Sequence, residues 1–162
     1  MSFAQPSLKG RALRLLSGRE YSRQELERKL KTHEETPGEL VRALDELEAK
    51  GFISEQRVVE SVINRRSAKL GTARIKQELQ GKGLDPQTVT DAVAGLKATE
   101  LARAREVWRK KFGAKSVGAS GDGVINAAAE RGKQMRFLAA RGFGGDVIRR
   151  VVSGAQDDVL DE

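Results

Sequence analysis

One spacing of apolar residues occurs three times along the chain. The first copy consists of Leu30, Leu40, Leu44 and Leu47. The same spacing recurs 49 residues later at Leu79, Val89, Val93 and Leu96. A third copy follows after another 59 residues at Leu138, Ile148, Val152 and Ala155. Intervals of three and four residues are typical of one helix face, so three copies predict three similar helical units that bury these faces.

Residues suited to helix starts support this alignment. The sequence from Tyr21 to Leu26 predicts a capping box in which Ser22 and Glu25 satisfy each other's backbone N–H groups. Thr36, Asp85 and Gly144 occupy equivalent places in the three copies, and each is a residue type that can cap a helix. Pro37 and Pro86 follow at the first helical position, where a missing N–H group has no cost.

A further amphipathic helix precedes each copy. Its inner positions are Leu8, Ala12, Leu15 and Leu16 in the first copy, Val58, Val59, Val62 and Ile63 in the second, and Leu101, Ala104, Trp108 and Phe112 in the third. We therefore predict an all-α fold of three tandem three-helix repeats, nine helices without a strand, in an elongated, curved arrangement. The boundaries are 1–7 (flexible N-terminus), 8–50, 51–97 and 98–154 (repeats) and 155–162 (acidic tail), with a flexible Gly- and Ser-rich connector at 113–123.

Composition excludes several classes of chemistry. The 162 residues contain no Cys and a single His, His33, in a turn beside Glu34 and Glu35. Disulfides, thiolate sites, Ser-His pairs and multi-His metal sites are therefore not expected, and neither is a phosphate-binding loop, since no Gly-Lys-Ser/Thr motif is present. Apolar runs are too short for a membrane span. We predict a cytoplasmic, monomeric protein that is not an enzyme and needs no cofactor.

Charge is distributed unevenly along the chain. The net charge is +7, but 10 basic and 9 acidic residues give only +1 for residues 1–53. Residues 54–97 carry +3, residues 98–154 carry +7 and residues 155–162 carry −4. A basic final repeat favours attraction to a polyanion or to an acidic protein surface, although a solubilising charged face is the alternative.

The candidate contacts are basic residues of the second and third repeats. They are Arg65, Arg66, Lys69, Arg74, Lys76, Arg103, Arg105, Arg109, Lys110, Lys111, Lys115, Arg136, Arg141, Arg149 and Arg150. These residues could contact phosphates or dock on an acidic partner. The alternative is a solvated helix face with cations that favour a helix C-terminus. Trp108 falls on a predicted inner face and is therefore assigned to the core.

Three-helix units also permit a helix-turn-helix interpretation. However, the last helix of the first repeat exposes Glu39, Arg42, Asp45, Glu46 and Glu48, a mostly acidic face that phosphates would repel. Only the third repeat places a basic pair there, Arg149 and Arg150. We therefore disfavour specific operator binding by all three units.

Taken in order, several segments resemble the RecX family, bacterial regulatory proteins of the RecA recombinase. The telling stretches are Leu26–Leu30, Gly51–Val59, Arg65, the run from Gly71 to Leu84, and the run from Phe137 to Ile148. The resemblance covers about residues 8–153. It implies three tandem three-helix units that bind in the groove of a RecA filament on single-stranded DNA.

This resemblance implies inhibition without catalysis. Members of the family block filament growth, ATP hydrolysis, strand exchange and coprotease activity of RecA. The expected partners are therefore the RecA filament and the DNA phosphate backbone. A stand-alone helical nucleic-acid-binding protein or transcriptional regulator is the alternative that the sequence leaves open.

Overall fold

The computed structural model describes residues 4–113 and 123–157. Within them the chain forms eight α-helices and one 3-10 helix, and no strand. The α-helices are α1 (Leu8–Gly18), α2 (Arg23–Leu30), α3 (Glu39–Ala49), α4 (Glu55–Arg66), α5 (Thr72–Gly81), α6 (Pro86–Phe112), α7 (Gly123–Ala140) and α8 (Gly145–Asp157), and the 3-10 helix is Lys31–His33. The predicted all-α class is confirmed.

These helices belong to two compact units. Unit 1 comprises the described residues up to Ser61 together with Leu79–Val89, and unit 2 comprises Val62–Glu78 and the described residues from Thr90 onward. The core of unit 1 includes Leu26, Leu44 and Leu47, none of which exposes any side-chain surface. The core of unit 2 is built around the fully buried Leu138.

The apolar spacing read from the sequence coincides with burial in all three copies. Each described position of the three copies is buried, from Leu30 in α2 to Val152 in α8. Phe112 is also buried, as predicted, and so is Phe143. Trp108 packs against the core of unit 2 with its indole partly exposed, and its Nε1 donates to Gln134 Oε1 at 2.9 Å. Its assignment to the core therefore holds for the ring but not for the polar edge.

Most predicted helix starts are confirmed, and one is wrong. The Ser22–Glu25 capping box is present, Asp85 Oδ1 accepts from Gln87 N at 2.9 Å, and α8 begins directly after Gly144. Thr36 does not cap α3, because Gly38 occupies that position with φ +86°, a left-handed conformation that favours glycine. Glu34 Oε2 instead accepts from Leu40 N at 2.9 Å, so a preceding loop supplies the cap.

The predicted division into nine helices is also wrong for the described residues, which form eight α-helices. α6 runs continuously from Pro86 to Phe112, where the sequence predicted the last helix of one repeat and the first of the next. Residues 96–101 contain no Pro, no Gly and no turn signal, so nothing in the local chemistry stops the helix. The connector proposed at 113–123 lies mostly outside the described residues. α8 extends to Asp157, into the segment predicted as the tail.

A polar cluster joins distant segments of unit 1 at the start of α2. Ser22 Oγ donates to Lys82 O at 2.6 Å, and Lys82 Nζ lies 3.0 Å from Glu25 Oε1. The Arg19 guanidinium lies 2.8 Å from the other Glu25 oxygen. Partial burial would raise the pKa of Glu25, but hydrogen bonds from Arg19, the Ser22 backbone and Lys82 outweigh it and lower that pKa to about 2.

We expect this carboxylate to make unit 1 sensitive to acid. Because the Glu25 pKa is lower in the folded state than its ordinary value of 4.5, its stabilising contribution is complete above about pH 4.5 and lost as the pH falls towards 2. Urea unfolding at pH 6 and pH 3 should therefore show a smaller pH effect in Glu25→Gln than in wild type. Glu35→Gln is the control, since Glu35 is exposed and makes no ion pair with a described residue. Equal acid sensitivity of wild type and Glu25→Gln would contradict the assignment.

Candidate polyanion-binding surface

Every predicted contact residue within the described part of the chain lies in unit 2. Lys115 lies outside the described residues. The others fall on the end of α4, the α4–α5 loop, the first half of α5, the second half of α6, and α7, α8 and the turn between them. Their local surroundings differ, and these differences separate cations that are free to meet a partner from cations that hold the fold.

The Arg103 side chain stabilises the fold through its hydrogen bonds. Its guanidinium donates to the carbonyl oxygens of Ser67, Leu70 and Leu96 and to the hydroxyls of Thr72 and Thr99, at 2.7–3.2 Å. These five bonds use all five N–H donors of an arginine. Burial lowers the pKa of this guanidinium, and nearby Glu100 partly offsets that effect. The sequence placed Arg103 among the contacts, whereas the structure uses its donors to join α6 to the α4–α5 loop.

A second set of hydrogen bonds holds the start of α5 against the α7–α8 turn. Gly71 N donates to Arg141 O at 2.7 Å, and Ala73 N donates to Gly142 O at 3.2 Å. Buried Glu100 accepts from Thr72 N at 3.0 Å and so caps α5 from another helix. These bonds bring basic residues of three elements close together.

The resulting group is called the Phe137 cluster here and consists of Phe137, Lys111, Arg141 and Arg74. The Arg141 guanidinium lies 4.5 Å from the Phe137 ring centroid, and Lys111 Nζ lies 5.8 Å from it. Arg74 donates to Ala140 O at 2.9 Å, next to Arg141. Cations over an aromatic ring are held in place without losing their charge. The cluster therefore presents three positive groups from α5, α6 and the α7–α8 turn.

α6 also carries exposed cations close in sequence to Lys111. Arg105 and Lys110 are exposed and make no ion pair with any described residue. Arg109 pairs with Glu106 at 2.9 Å, and both side chains are at least half exposed, so water screens the pair. These three residues, Arg105, Arg109 and Lys110, are called the α6 cation row.

The remaining predicted contacts are more dispersed. Arg65 and Arg66 share one carboxylate, Glu78, at 3.5 and 3.1 Å. Arg149 pairs with Asp146 in the first turn of α8. The other exposed cations of this set are Lys69, Lys76, Arg136 and Arg150. Among residues 4–113 and 123–157, no contact joins this second group into one site.

Sequence reasoning missed a group of cations in unit 1. Arg11 and Arg14 of α1 line a cavity of about 650 Å³ together with Lys29 and His33. Each pair has a helical spacing, three residues in α1 and four across the end of α2, so each pair was visible as one face. The sequence did not show that the two faces meet. The near-neutral net charge of the first repeat does not reveal where its positive charges are concentrated.

Two further features are absent from the described residues. No group of three or more Asp, Glu or His side chains there is placed to hold a metal ion. None of the helices in residues 4–113 and 123–157 combines the length and apolarity that a membrane crossing requires.

Comparison with known families matches most of the chain to one family, in three parts. Residues 9–47 match the first three-helix domain of RecX, residues 54–93 the second and residues 98–152 the third. A curated relative named "Regulatory protein RecX" from Leptothrix cholodnii is 49% identical over 91% of this chain and 88% of its own. Another relative of that name, from Herminiimonas arsenicoxydans, is 44% identical over 98% of this chain and 99% of its own.

Solved structures agree on the fold. The crystal structure of RecX from Lactobacillus salivarius matches with a TM-score of 0.73 at 20% identity, covering 92% of this chain and 94% of the other. At that identity the match supports the fold alone. The family match and the relatives above 40% identity carry the assignment: the chain belongs to the RecX family of regulatory proteins.

Proposed function

We propose that this protein restrains RecA by binding in the groove of the RecA filament on single-stranded DNA. It inhibits ATP hydrolysis, strand exchange and coprotease activity by occupying the filament, acts as a monomer in the cytoplasm, and uses neither a cofactor nor a catalytic residue of its own. Family membership supports the regulatory role. The observation that carries the contact surface is the concentration of exposed cations in unit 2, at the Phe137 cluster and the α6 cation row.

Physical reasoning favours this surface over the other predicted contacts. Phosphates and acidic side chains are attracted to cations whose charge is not already compensated. Arg105 and Lys110 meet this condition, whereas Arg65 and Arg66 share a carboxylate and Arg103 has no donor left. We therefore assign first contact to the α6 cation row, with the Phe137 cluster beside it.

The decisive experiment measures ATP hydrolysis by RecA on single-stranded DNA with increasing amounts of this protein. We expect inhibition at near-stoichiometric ratios, and no inhibition would contradict the proposal. Duplex binding that discriminates one sequence by several kcal/mol would instead favour the transcriptional regulator, for which the pair Arg149 and Arg150 on α8 is the specific feature.

A charge-removal variant tests the surface itself. We expect Arg105→Ala/Arg109→Ala/Lys110→Ala to need about tenfold more protein for half-inhibition, because three phosphate contacts are lost. The slope of binding to single-stranded DNA against log salt should decrease by about 2 in the same variant.

The matched control removes three exposed cations of unit 1 that make no ion pair with a described residue: Arg28→Ala/Lys31→Ala/Arg42→Ala. It changes the net charge by the same amount, so a general electrostatic effect would affect both variants equally. Equal losses in the two variants would show that the α6 cation row is not the contact.

A further inference from the structure

The cavity of unit 1 is lined by both cations and apolar groups. α1 and the residue before its cap contribute Pro6, Ser7, Gly10, Arg11, Arg14 and Leu15, while the end of α2 and the 3-10 helix contribute Lys29, Leu30 and His33. Its volume of about 650 Å³ lies in the range of ligand-binding pockets. No carboxylate is found among these described lining residues.

Several other cations of unit 1 are neutralised locally, whereas Arg28, Lys31 and Arg42 make no ion pair with a described residue. Lys9 and Lys50 share Glu46, Arg19 and Lys82 share Glu25, and Arg57 meets Glu20, all at 2.7–3.0 Å. Arg23 contacts Glu27, Asp45 and Glu48. Carboxylates are therefore abundant in this unit, but none of them is among the described residues that line the cavity.

The cations of the cavity lack such partners. Arg14 and Lys29 are exposed and pair with no carboxylate of the described chain, and Arg11 donates only to the neutral Gln5 Oε1, at 3.0 Å. Uncompensated positive charge around a concave surface attracts an anion, and the low dielectric of the cavity wall strengthens the attraction.

The apolar residues that line the cavity favour one class of anion over another. Leu15, Leu30 and Pro6 can accept an aliphatic side chain, and Ser7 Oγ is already occupied as the cap of α1, accepting from Gly10 N at 3.0 Å. No Phe, Tyr or Trp is found among the described lining residues on which a nucleic-acid base could stack. An acidic peptide with an apolar residue between carboxylates complements both the cations and the apolar residues that line the cavity. A nucleotide complements only the cations.

We propose that this cavity is a docking site for an acidic peptide segment of a partner protein. Carboxylates of the segment pair with Arg11, Arg14 and Lys29, and an aliphatic side chain between them enters against Leu15 and Leu30. The inference is independent of the proposed function, since its test does not involve RecA.

A suitable probe is a synthetic peptide with the sequence of residues 155–162, Ala-Gln-Asp-Asp-Val-Leu-Asp-Glu. It carries the required chemistry, a Val-Leu pair between acidic residues. Because the same sequence in the protein could compete, binding is measured on the full chain and on a full-length variant with Asp157→Asn, Asp158→Asn, Asp161→Asn and Glu162→Gln.

Two unique residues give each unit its own NMR signal. His33 is the single histidine of the chain and lines the cavity, whereas Trp108 is the single tryptophan and lies in unit 2. The peptide contains neither residue type. We expect saturable shifts of the His33 ring signals with an unchanged Trp108 indole signal, which also reports that unit 2 is folded.

Matched variants make the result specific. Arg14→Glu/Lys29→Glu should weaken peptide binding at least tenfold, whereas Arg28→Glu/Arg42→Glu, with the same change in net charge outside the cavity, should weaken it less than twofold. A peptide in which Val159 and Leu160 are replaced by Ser should bind at least fivefold more weakly.

Several results would overturn the proposal. These are the absence of saturable His33 shifts in both forms of the protein, equal losses in the two charge-reversal variants, and an unchanged affinity of the Ser-substituted peptide. Displacement of the peptide by an equally charged single-stranded oligonucleotide at lower concentration would identify a phosphate site instead.

Discussion

Replacing Gly71 with alanine should lower the free energy of unfolding of unit 2 by about 3 kcal/mol, the largest effect we expect from a single methyl group in this chain. A Cβ atom at Gly71 would lie 2.3 Å from the carbonyl carbon and oxygen of Gly142 and 2.4 Å from Phe143 N. All three are backbone atoms, which cannot rotate away as a side chain can.

Relief of this clash requires the two segments to separate. Separation weakens the hydrogen bonds from Gly71 N to Arg141 O and from Ala73 N to Gly142 O, each of which contributes on the order of 1 kcal/mol. Gly142 cannot readily adjust, since its own φ is +90° and its Cα faces the Arg74 backbone and side chain. The free-energy costs of the steric strain and of the weakened hydrogen bonds therefore add.

Urea unfolding followed by Trp108 fluorescence measures this effect, because the single tryptophan belongs to unit 2. For a protein of this size the midpoint of thermal unfolding should fall by roughly 10 °C. Gly95→Ala is the matched control. Gly95 lies inside α6 with no atom within 4 Å of an added Cβ, so alanine there should stabilise by about 0.5–1 kcal/mol. A Gly71→Ala protein as stable as wild type would show that the two backbones are not in contact.

The second large effect is expected at Arg103. Arg103→Ala should destabilise unit 2 by about 2–3 kcal/mol, because carbonyl oxygens at the end of α4 and in the α4–α5 loop lose a charged donor. Arg103→Lys should recover only part of this loss, since an ammonium cannot reproduce the planar fork that contacts Leu70 O at 2.7 Å and Thr72 Oγ1 at 3.1 Å together.

Arg105→Ala is the control for Arg103, two residues away on the same helix. Arg105 is exposed and makes no ion pair with a described residue, so its removal should change stability by less than about 0.5 kcal/mol. The two variants should also differ in function, with Arg105→Ala weakening inhibition of RecA at unchanged stability. Equal stability of the Arg103 and Arg105 variants would contradict the structural role of Arg103.

The repeat pattern was predictable because burial and helix geometry leave a direct trace in sequence. Leu44, Val93 and Val152 are buried as their spacing predicted, since a side chain's place on a helix depends only on its position along that helix. The Ser22–Glu25 capping box was predictable for the same reason, as its partners are three residues apart. The α3 start was mispredicted because it depends on Glu34, which reaches past a turn.

The candidate contacts also differ in how far their roles could be predicted from the sequence. That Arg105 and Lys110 are exposed follows from their positions on an amphipathic helix. The role of Arg103 could not be read from the sequence, because its acceptors at Ser67 and Leu70 lie more than thirty residues away. The cavity of unit 1 was missed because the charge of a segment is a sum, whereas an electrostatic site depends on where the charges meet.

The sequence by itself determined the all-α class, the buried faces of the helices, most of their caps and the family, because each depends on local spacing or on order along the chain. Tertiary structure alone decided which cations are free, which are bound to carbonyls or carboxylates, and where unpaired ones meet. The physical reason is that hydrogen bonds and Coulomb forces act over a few ångströms in space, between residues that the chain places far apart.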